Sequence, residues 1–175
     1  MNYNKLLNNL KKLKLDKMYN YLPQYLDEIN KQQIPFVDAL YTLTEKEIDF
    51  KDEKTSANNI LGAHFPFNKT LDDFDFDFQP SINRTEIFDL ATLRFLTEKK
   101  NVVFVGTSGV GKTHLSVALG VEAAKKRFST YFITCHELID KLSLANKENK
   151  FSKTLKKFCR YDLLIIDEVR LFACR

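Results

Sequence analysis

Gly106-Thr107-Ser108-Gly109-Val110-Gly111-Lys112-Thr113 follows the apolar run Val102-Val103-Phe104-Val105 and precedes a helical pattern carried by Leu115, Ala118 and Leu119. This context predicts a strand, a phosphate loop and a helix. Glycines let such a loop turn tightly and aim successive backbone N–H groups inward, and the helix N-terminus adds partial positive charge, so the natural guest is a polyphosphate. Lys112 would reach the β- and γ-phosphates, and the Thr113 hydroxyl would hold magnesium against them. A Gly-rich turn can match by chance, but the full spacing between a strand and a helix argues against that here.

Some fifty residues further on, at about the distance of a later strand of the same sheet, lies Leu163-Leu164-Ile165-Ile166-Asp167-Glu168. It reads as a strand buried on both faces, because the apolar residues are continuous and not alternating. Two acids at its tip suit a nucleoside triphosphatase, with Asp167 supporting the magnesium shell and Glu168 polarising a water near the γ-phosphate. Alone, the pair would be an ordinary solvated strand end. The candidate nucleotide-binding residues are Gly106, Thr107, Ser108, Gly109, Val110, Gly111, Lys112, Thr113 and His114. Thr113 and Asp167 are the candidate metal residues, and Lys112 and Glu168 the candidate catalytic ones.

Between loop and acids, residues 130–134 form a β-rich strand candidate, and residues 137–143 resume helical spacing with Leu138 and Leu142. The order strand, helix, strand, helix, strand predicts an α/β fold with a parallel sheet and flanking helices. Lys150, Lys153, Lys157 and Arg160 fall on one helical face, opposite Phe151, Leu155 and Phe158. That cationic band is a candidate DNA surface, and it equally suits a solvated helix face.

Upstream, residues 3–53 read as helices. Leu6, Leu10 and Leu13 open an apolar stripe, which Leu15, Met18, Leu22, Leu26 and Ile29 continue across Pro23, read as a junction between two helices. Pro35 starts another helix with Val37, Leu40, Tyr41 and Ile48 as its apolar face. Lys5, Lys11, Lys12, Lys14 and Lys17 make the first segment basic. Residues 71–80 alternate acid and aromatic between proline ends, which predicts an extended segment pinning its phenylalanines onto a neighbouring surface. Residues 84–99 give one more helix. The expected domains are a helical front (1–62), a Phe/Asp-rich linker (63–83), a nucleotide-binding domain (84–169) and a short tail (170–175).

Composition is globular, with 44% hydrophobic residues, 13% aromatics, 5 Gly and 4 Pro, so a disordered chain is excluded. The net charge of +4 is mild and implies no polyanionic partner by itself. Cys135, Cys159 and Cys174 form no pair at metal spacing, which predicts reduced thiols in a cytoplasmic setting. His64, His114 and His136 are isolated in sequence. No run approaches the roughly twenty apolar residues that span a bilayer, and no signal-peptide core follows Met1. A soluble chain without membrane contact is expected.

Phe65-Pro66-Phe67, residues 71–80, the Gly-Lys-Thr-His-Leu ending of the loop, and Tyr161-Asp162 leading into the strand with Asp167 and Glu168 together resemble the IstB-like ATPases. These are helpers of insertion-sequence transposases, similar to DnaC-type helicase loaders, within the AAA+ class. The resemblance covers nearly the whole chain to Val169. It implies a P-loop AAA+ (RecA-like) sheet, ATP and Mg2+ as cofactors, and DNA, a transposase and further copies of the same protein as partners in intact relatives. ATP-controlled assembly on DNA, with hydrolysis to ADP and phosphate, is the implied activity. Helicase loading and non-catalytic DNA or partner binding are the alternatives. A nucleotide kinase is disfavoured because no second pocket or Arg-rich lid is visible.

By the same resemblance, relatives continue past the glutamate with a sensor strand and an arginine finger. They follow the acids with an apolar residue and Gly-Tyr-Leu-Pro-Val-Asp, where this chain has Val169 and then Arg170-Leu171-Phe172-Ala173-Cys174-Arg175. One base inserted into codons for the former yields the latter, so residues 170–175 are expected to be out-of-frame translation, which the genomic DNA decides. The sensor strand of this class lies between the loop strand and the Asp167 strand. Without it those strands must close up, stay solvated or find another chain, which predicts a weakly stable product that binds nucleotide poorly and turns over little ATP.

Overall fold

The computed structural model describes residues 2–169. The expected out-of-frame tail, residues 170–175, lies outside them. The chain divides into two compact units, Met1–Thr55 and Ser56–Arg175, and the divide falls within a helix.

The first unit is helical. It holds α1 (Asn2–Lys12), α2 (Asp16–Gln32) and most of α3 (Phe36–Gly62). Between α1 and α2, Lys14 takes the left-handed conformation (φ 55°). The Leu15 N–H bonds to Leu10 O and the Lys14 N–H to Lys11 O, the paired bonds of a left-handed helix end. The expected junction at Pro23 is therefore displaced to residues 13–15, and Pro23 sits inside α2. It lies on the exposed side, where water can reach the carbonyl that its missing N–H leaves unpaired.

Leu10, Met18, Leu22, Tyr25, Ala39 and Leu43 make the core of this unit. The apolar face expected on α3 is present in sequence but is not the face that packs. α3 buries Ala39, Leu43 and Glu47, while Val37, Leu40, Tyr41 and Ile48 are exposed. The Glu47 carboxylate, only 4% exposed, accepts the Met18 N–H through Oε2 at 2.9 Å. It thereby caps the first turn of α2 from a distant helix, where a negative charge also suits the helix dipole. Its Oε1 has no hydrogen-bond partner, and Lys51 Nζ stands 3.6 Å away.

The second unit is α/β. α4 (Arg84–Ala91) and α5 (Arg94–Thr97) replace the single helix expected over residues 84–99, with Leu93 left-handed between them (φ 65°). There follow α6 (Lys112–Lys125), β1 (Thr130–Thr134), α7 (Cys135–Lys147), α8 (Phe151–Phe158) and β2 (Leu163–Asp167). β1 and β2 pair in parallel, Thr130 opposite Leu163 and Thr134 opposite Asp167. α6 packs on both strands, so the α/β reading holds, and the strand ends of the two short runs are aligned.

The apolar run before the phosphate loop behaves differently from expectation. Residues 102–105 join no ladder among the described residues, and Val103 and Val105 are 78% and 91% exposed. Val102 and Phe104 are half-buried, Phe104 against the cluster of Leu71, Phe74, Ile87, Leu115 and Leu119. Of the three outcomes foreseen for this run, it takes the solvated one. A strand needs a neighbour to satisfy its backbone, and β2 offers its ladder to β1.

Residues 63–80 are turns and not an extended segment. The Phe132 N–H of β1 bonds to Ala63 O at 2.8 Å. Asp73 Oδ2 accepts from Thr70 N and Oγ1, and Asp75 Oδ1 from the Asp77 and Phe78 N–H groups, which are side-chain-closed turns typical of Asp. Of the phenylalanines expected to be pinned, Phe74 is buried in a cluster with Leu115 and Leu119 of α6, whereas Phe78 is exposed. A Cβ on Gly120 of α6 would lie 2.7 Å from both Phe65 and Ile165, so only glycine admits the ring and the strand side chain so close to the helix.

Candidate phosphate-loop site

The loop conformation depends on two glycines. Gly109 and Gly111 have φ of 83° and 87°, a region that side-chain-bearing residues enter at a cost. Gly111 is the left-handed N-cap of α6 and supplies no side-chain cap. The first N–H groups of the helix are therefore left for an outside acceptor, and an anion is the acceptor the helix dipole favours. A Cβ on Gly111 would also lie 2.5 Å from Phe74 Cε2.

Lys112 lies over this loop. Its Nζ donates to Gly106 O at 2.9 Å and to Thr107 O at 2.6 Å, so the ammonium sits within the ring of backbone that the sequence assigns to phosphates. Thr113, one residue into the helix, donates through Oγ1 to Asp167 Oδ2 at 2.8 Å. That bond joins residues 54 apart in sequence and sets the C-terminal end of β2 against the loop. A ligand site beyond the carboxyl ends of parallel strands is where this architecture puts one.

A magnesium ion suits this pair. No group of three or more His, Cys, Asp or Glu side chains gathers at metal spacing among the described residues. Magnesium at a nucleotide needs no such cage, because phosphate oxygens and water fill most of its octahedron. One hydroxyl and one carboxylate 2.8 Å apart are the hard oxygen donors it takes from a protein.

Glu168 follows with φ 56° and an exposed side chain, so the backbone turns sharply as soon as the strand ends. His114 faces the turn over residues 70–74. Its Nε2 lies 3.1 Å from Thr70 O, and its ring meets Phe74 edge-on at 5.2 Å. The hydrogen bonds donated to Asp73 by the Thr70 backbone N–H, first, and the Thr70 hydroxyl hold its carboxyl below the usual carboxylate range. His114 thus fastens the Phe/Asp-rich segment to α6. Val110 packs beneath the loop, its Cγ2 3.3 Å from a Cβ built on Gly106, and Thr107 and Ser108 are exposed at the rim.

The four basic residues expected to contact DNA lie elsewhere. Lys150 is the N-cap of α8 and pairs with Glu148 at 2.8 Å, Lys153 and Lys157 are on the helix, and Arg160 lies just beyond it. All four are exposed. α8 leads into the N-terminal end of β2, whereas the loop site is at the C-terminal end. Of the apolar stripe opposite, Phe158 is buried and Phe151 and Leu155 stay exposed.

Nothing in the sequence spacing pointed to Phe74, which lies against the loop at Gly111. Phe74 is one of several aromatics in an alternating run, and nothing in the periodicity distinguishes it from Phe76 or Phe78. The signal available was the pairing of a Phe-rich segment with a glycine at a helix N-cap, a place where a ring can approach the backbone.

The chain is similar to known proteins over nearly its whole length. The family model described as IstB-like ATP binding protein matches residues 8–173. A Bacillus thuringiensis subsp. berliner protein named for ATP binding in insertion sequence IS232 is 46% identical over 167 residues, 95% of this chain and 67% of the relative. A Geobacillus stearothermophilus protein likewise named, from IS5376, is 40% identical over 136 residues, 78% of this chain and 54% of the relative. The Pseudomonas aeruginosa IS21 counterpart is 32% identical over 160 residues, 91% and 60%. The chain thus spans between about half and two thirds of the length of these relatives. No helix among the described residues is long and apolar enough to cross a membrane. With the loop, the strand tip and most of the helical front inside the matched region, the chain belongs to the IstB-like ATP binding protein family.

Proposed function

We propose that the chain binds ATP with magnesium at residues 106–114 and works as the ATP-binding helper of insertion-sequence transposition. The observation that supports the reading is the Thr113 to Asp167 bond, a hydroxyl and a carboxylate that would together suit magnesium, at the mouth of a loop whose left-handed glycines expose a helix N-terminus. The backbone N–H groups of residues 109–113 would cradle the β-phosphate. Lys112 would exchange its two loop carbonyls for phosphate oxygens, which are stronger partners for an ammonium.

When bound, magnesium would neutralise charge on the β- and γ-phosphates. Hydrolysis, where it occurs, has water attack the γ-phosphorus while the bond to the β-phosphate oxygen breaks, giving ADP and phosphate, and Glu168 takes the proton of the attacking water. DNA, a transposase and further copies of the chain are the partners this reading implies, with the helical front (1–62) as the region for partner contacts and Lys150, Lys153, Lys157 and Arg160 as the phosphate-backbone contacts. The insertion-sequence relatives favour this over helicase loading.

The magnesium assignment is tested by titrating a fluorescent ATP analogue with and without magnesium against the wild type, Thr113→Val and Asp167→Asn. The wild type should bind more tightly with magnesium, and both variants should lose that gain while keeping magnesium-free binding. A magnesium gain that survives in both variants would remove the pair from the site.

A further inference from the structure

Of the two left-handed glycines in the phosphate loop, only one has a side chain packed against it. A Cβ built on Gly109 meets nothing within 4 Å, whereas one on Gly111 would lie 2.5, 3.1 and 3.7 Å from Cε2, Cζ and Cδ2 of Phe74. The edge of that ring therefore rests on the Gly111 backbone, at the residue that turns the loop into α6. Gly111 has no side chain with which to hold its own conformation, and glycine gives up more freedom than any other residue when it is fixed. The residues before the loop supply little support, because 102–105 join no ladder among the described residues and Val105 is 91% exposed.

The ring is itself firmly placed. Phe74 is buried with Leu71, Ile87, Leu115 and Leu119, and Phe76 and His114 meet it edge-on at 4.8 and 5.2 Å. The turn that carries it is closed by its own hydrogen bonds. The Phe74 N–H donates to Leu71 O at 3.2 Å, and Asp73 Oδ2 accepts from the Thr70 N–H and hydroxyl at 2.7 and 2.9 Å. His114 Nε2, 3.1 Å from Thr70 O, ties that turn to α6 just past Gly111. Donors that must be held to within about half an ångström need supports whose own rotamers are locked by packing, and Phe74 is such a support.

We propose that Phe74 is a positioning residue for the phosphate loop: its ring keeps Gly111 left-handed, so that the N–H groups at the start of α6 stay aimed at a polyphosphate. This rests on the nucleotide reading of residues 106–114, and adds that Phe74 acts on the loop backbone and not on the base. A contact with the base would help ATP alone, whereas support of the loop serves ATP and bare phosphates alike.

The test is calorimetric titration of the full chain, with magnesium, by ATP and separately by inorganic tripolyphosphate, with circular dichroism to check folding. Phe74→Leu still fills the apolar cluster but lacks the ring atoms that reach Gly111, and should weaken both ligands by the same factor, about tenfold. Phe74→Met, whose unbranched chain reaches further than leucine, should recover part of that loss. Phe78→Ala, in the same segment but 73% exposed in the wild type, should bind like the wild type. In the free protein the amide NMR signals of Gly111 and Lys112 should shift in Phe74→Leu while those of β1 stay in place, which a general loss of stability would not produce. Should Phe74→Leu fail to fold, Asp73→Ala at an exposed position loosens the turn that carries the ring and should weaken both ligands equally. Unchanged affinity in the variant, or a loss for ATP that tripolyphosphate does not share, would overturn the proposal and leave the nucleotide reading intact. A folded wild type that binds neither ligand would overturn both.

Discussion

α6 and α3 both carry apolar residues over most of their length, yet the fold uses them in different ways. α6 has 14 residues and buries eight of them, running from Leu115 to Ala124. α3 has 27 residues and buries Ala39, Leu43 and Glu47. α6 is enclosed because its neighbours come from three directions. Both strands pack on it, Phe65 lies against Gly120, and Leu71, Phe74 and Ile87 pack on Leu115 and Leu119. α3 in the first unit meets its neighbours along one side and carries a second apolar face into solvent. The phosphate loop therefore stands on the most enclosed helix among the described residues, whereas α3 keeps an apolar flank in solvent.

Substitutions along the two helices should reproduce that contrast. Leu115→Ala removes a fully buried side chain next to the loop, and the chain should lose about 3 kcal/mol in a urea titration followed by circular dichroism. A loss under half of that would mean α6 is less tightly enclosed than the packing indicates. Gly120→Val pushes branched carbons into Phe65 and Ile165, and overpacking of this kind should cost about 2 kcal/mol, read in the same titration. A neutral result would show that the Phe65 ring moves aside freely.

On α3 the buried polar residue should have a smaller effect than these core substitutions. Glu47→Ala leaves the Met18 N–H without its acceptor, at a cost of about 1 kcal/mol. Hydrogen exchange at Met18 should rise with it, and unchanged exchange would mean that another group takes over the cap. Val37→Ser should change stability by less than about 0.5 kcal/mol, as an exposed site does. A large loss of stability there would mean the face is already covered within one molecule.

How much of this was readable beforehand depends on which kind of interaction decided each element. The loop between its left-handed glycines, β1 and β2 follow from local chemistry: glycine spacing and continuous apolar runs. Where neighbours decide, sequence patterns were insufficient. Residues 102–105 have strand composition, but a strand forms only beside a partner, and β2 ladders with β1. α3 has two apolar faces, and periodicity does not say which one packs. Pro23 ends many helices, yet on the exposed side of α2 the local left-handed turn at Lys14 ends α1 first. Phe74 and Glu47 act across long sequence distances, Phe74 on Gly111 and Glu47 on Met18, and no local pattern marks either.

The central claim is that residues 106–113 form a nucleotide-binding loop in this chain, although residues 102–105 stand outside the sheet. Binding of a fluorescent ATP analogue with magnesium to the wild type and to Lys112→Ala tests it most directly. Saturable binding by the wild type that Lys112→Ala abolishes is the predicted result. Absence of binding by a folded wild type, or equal binding by Lys112→Ala, would contradict it.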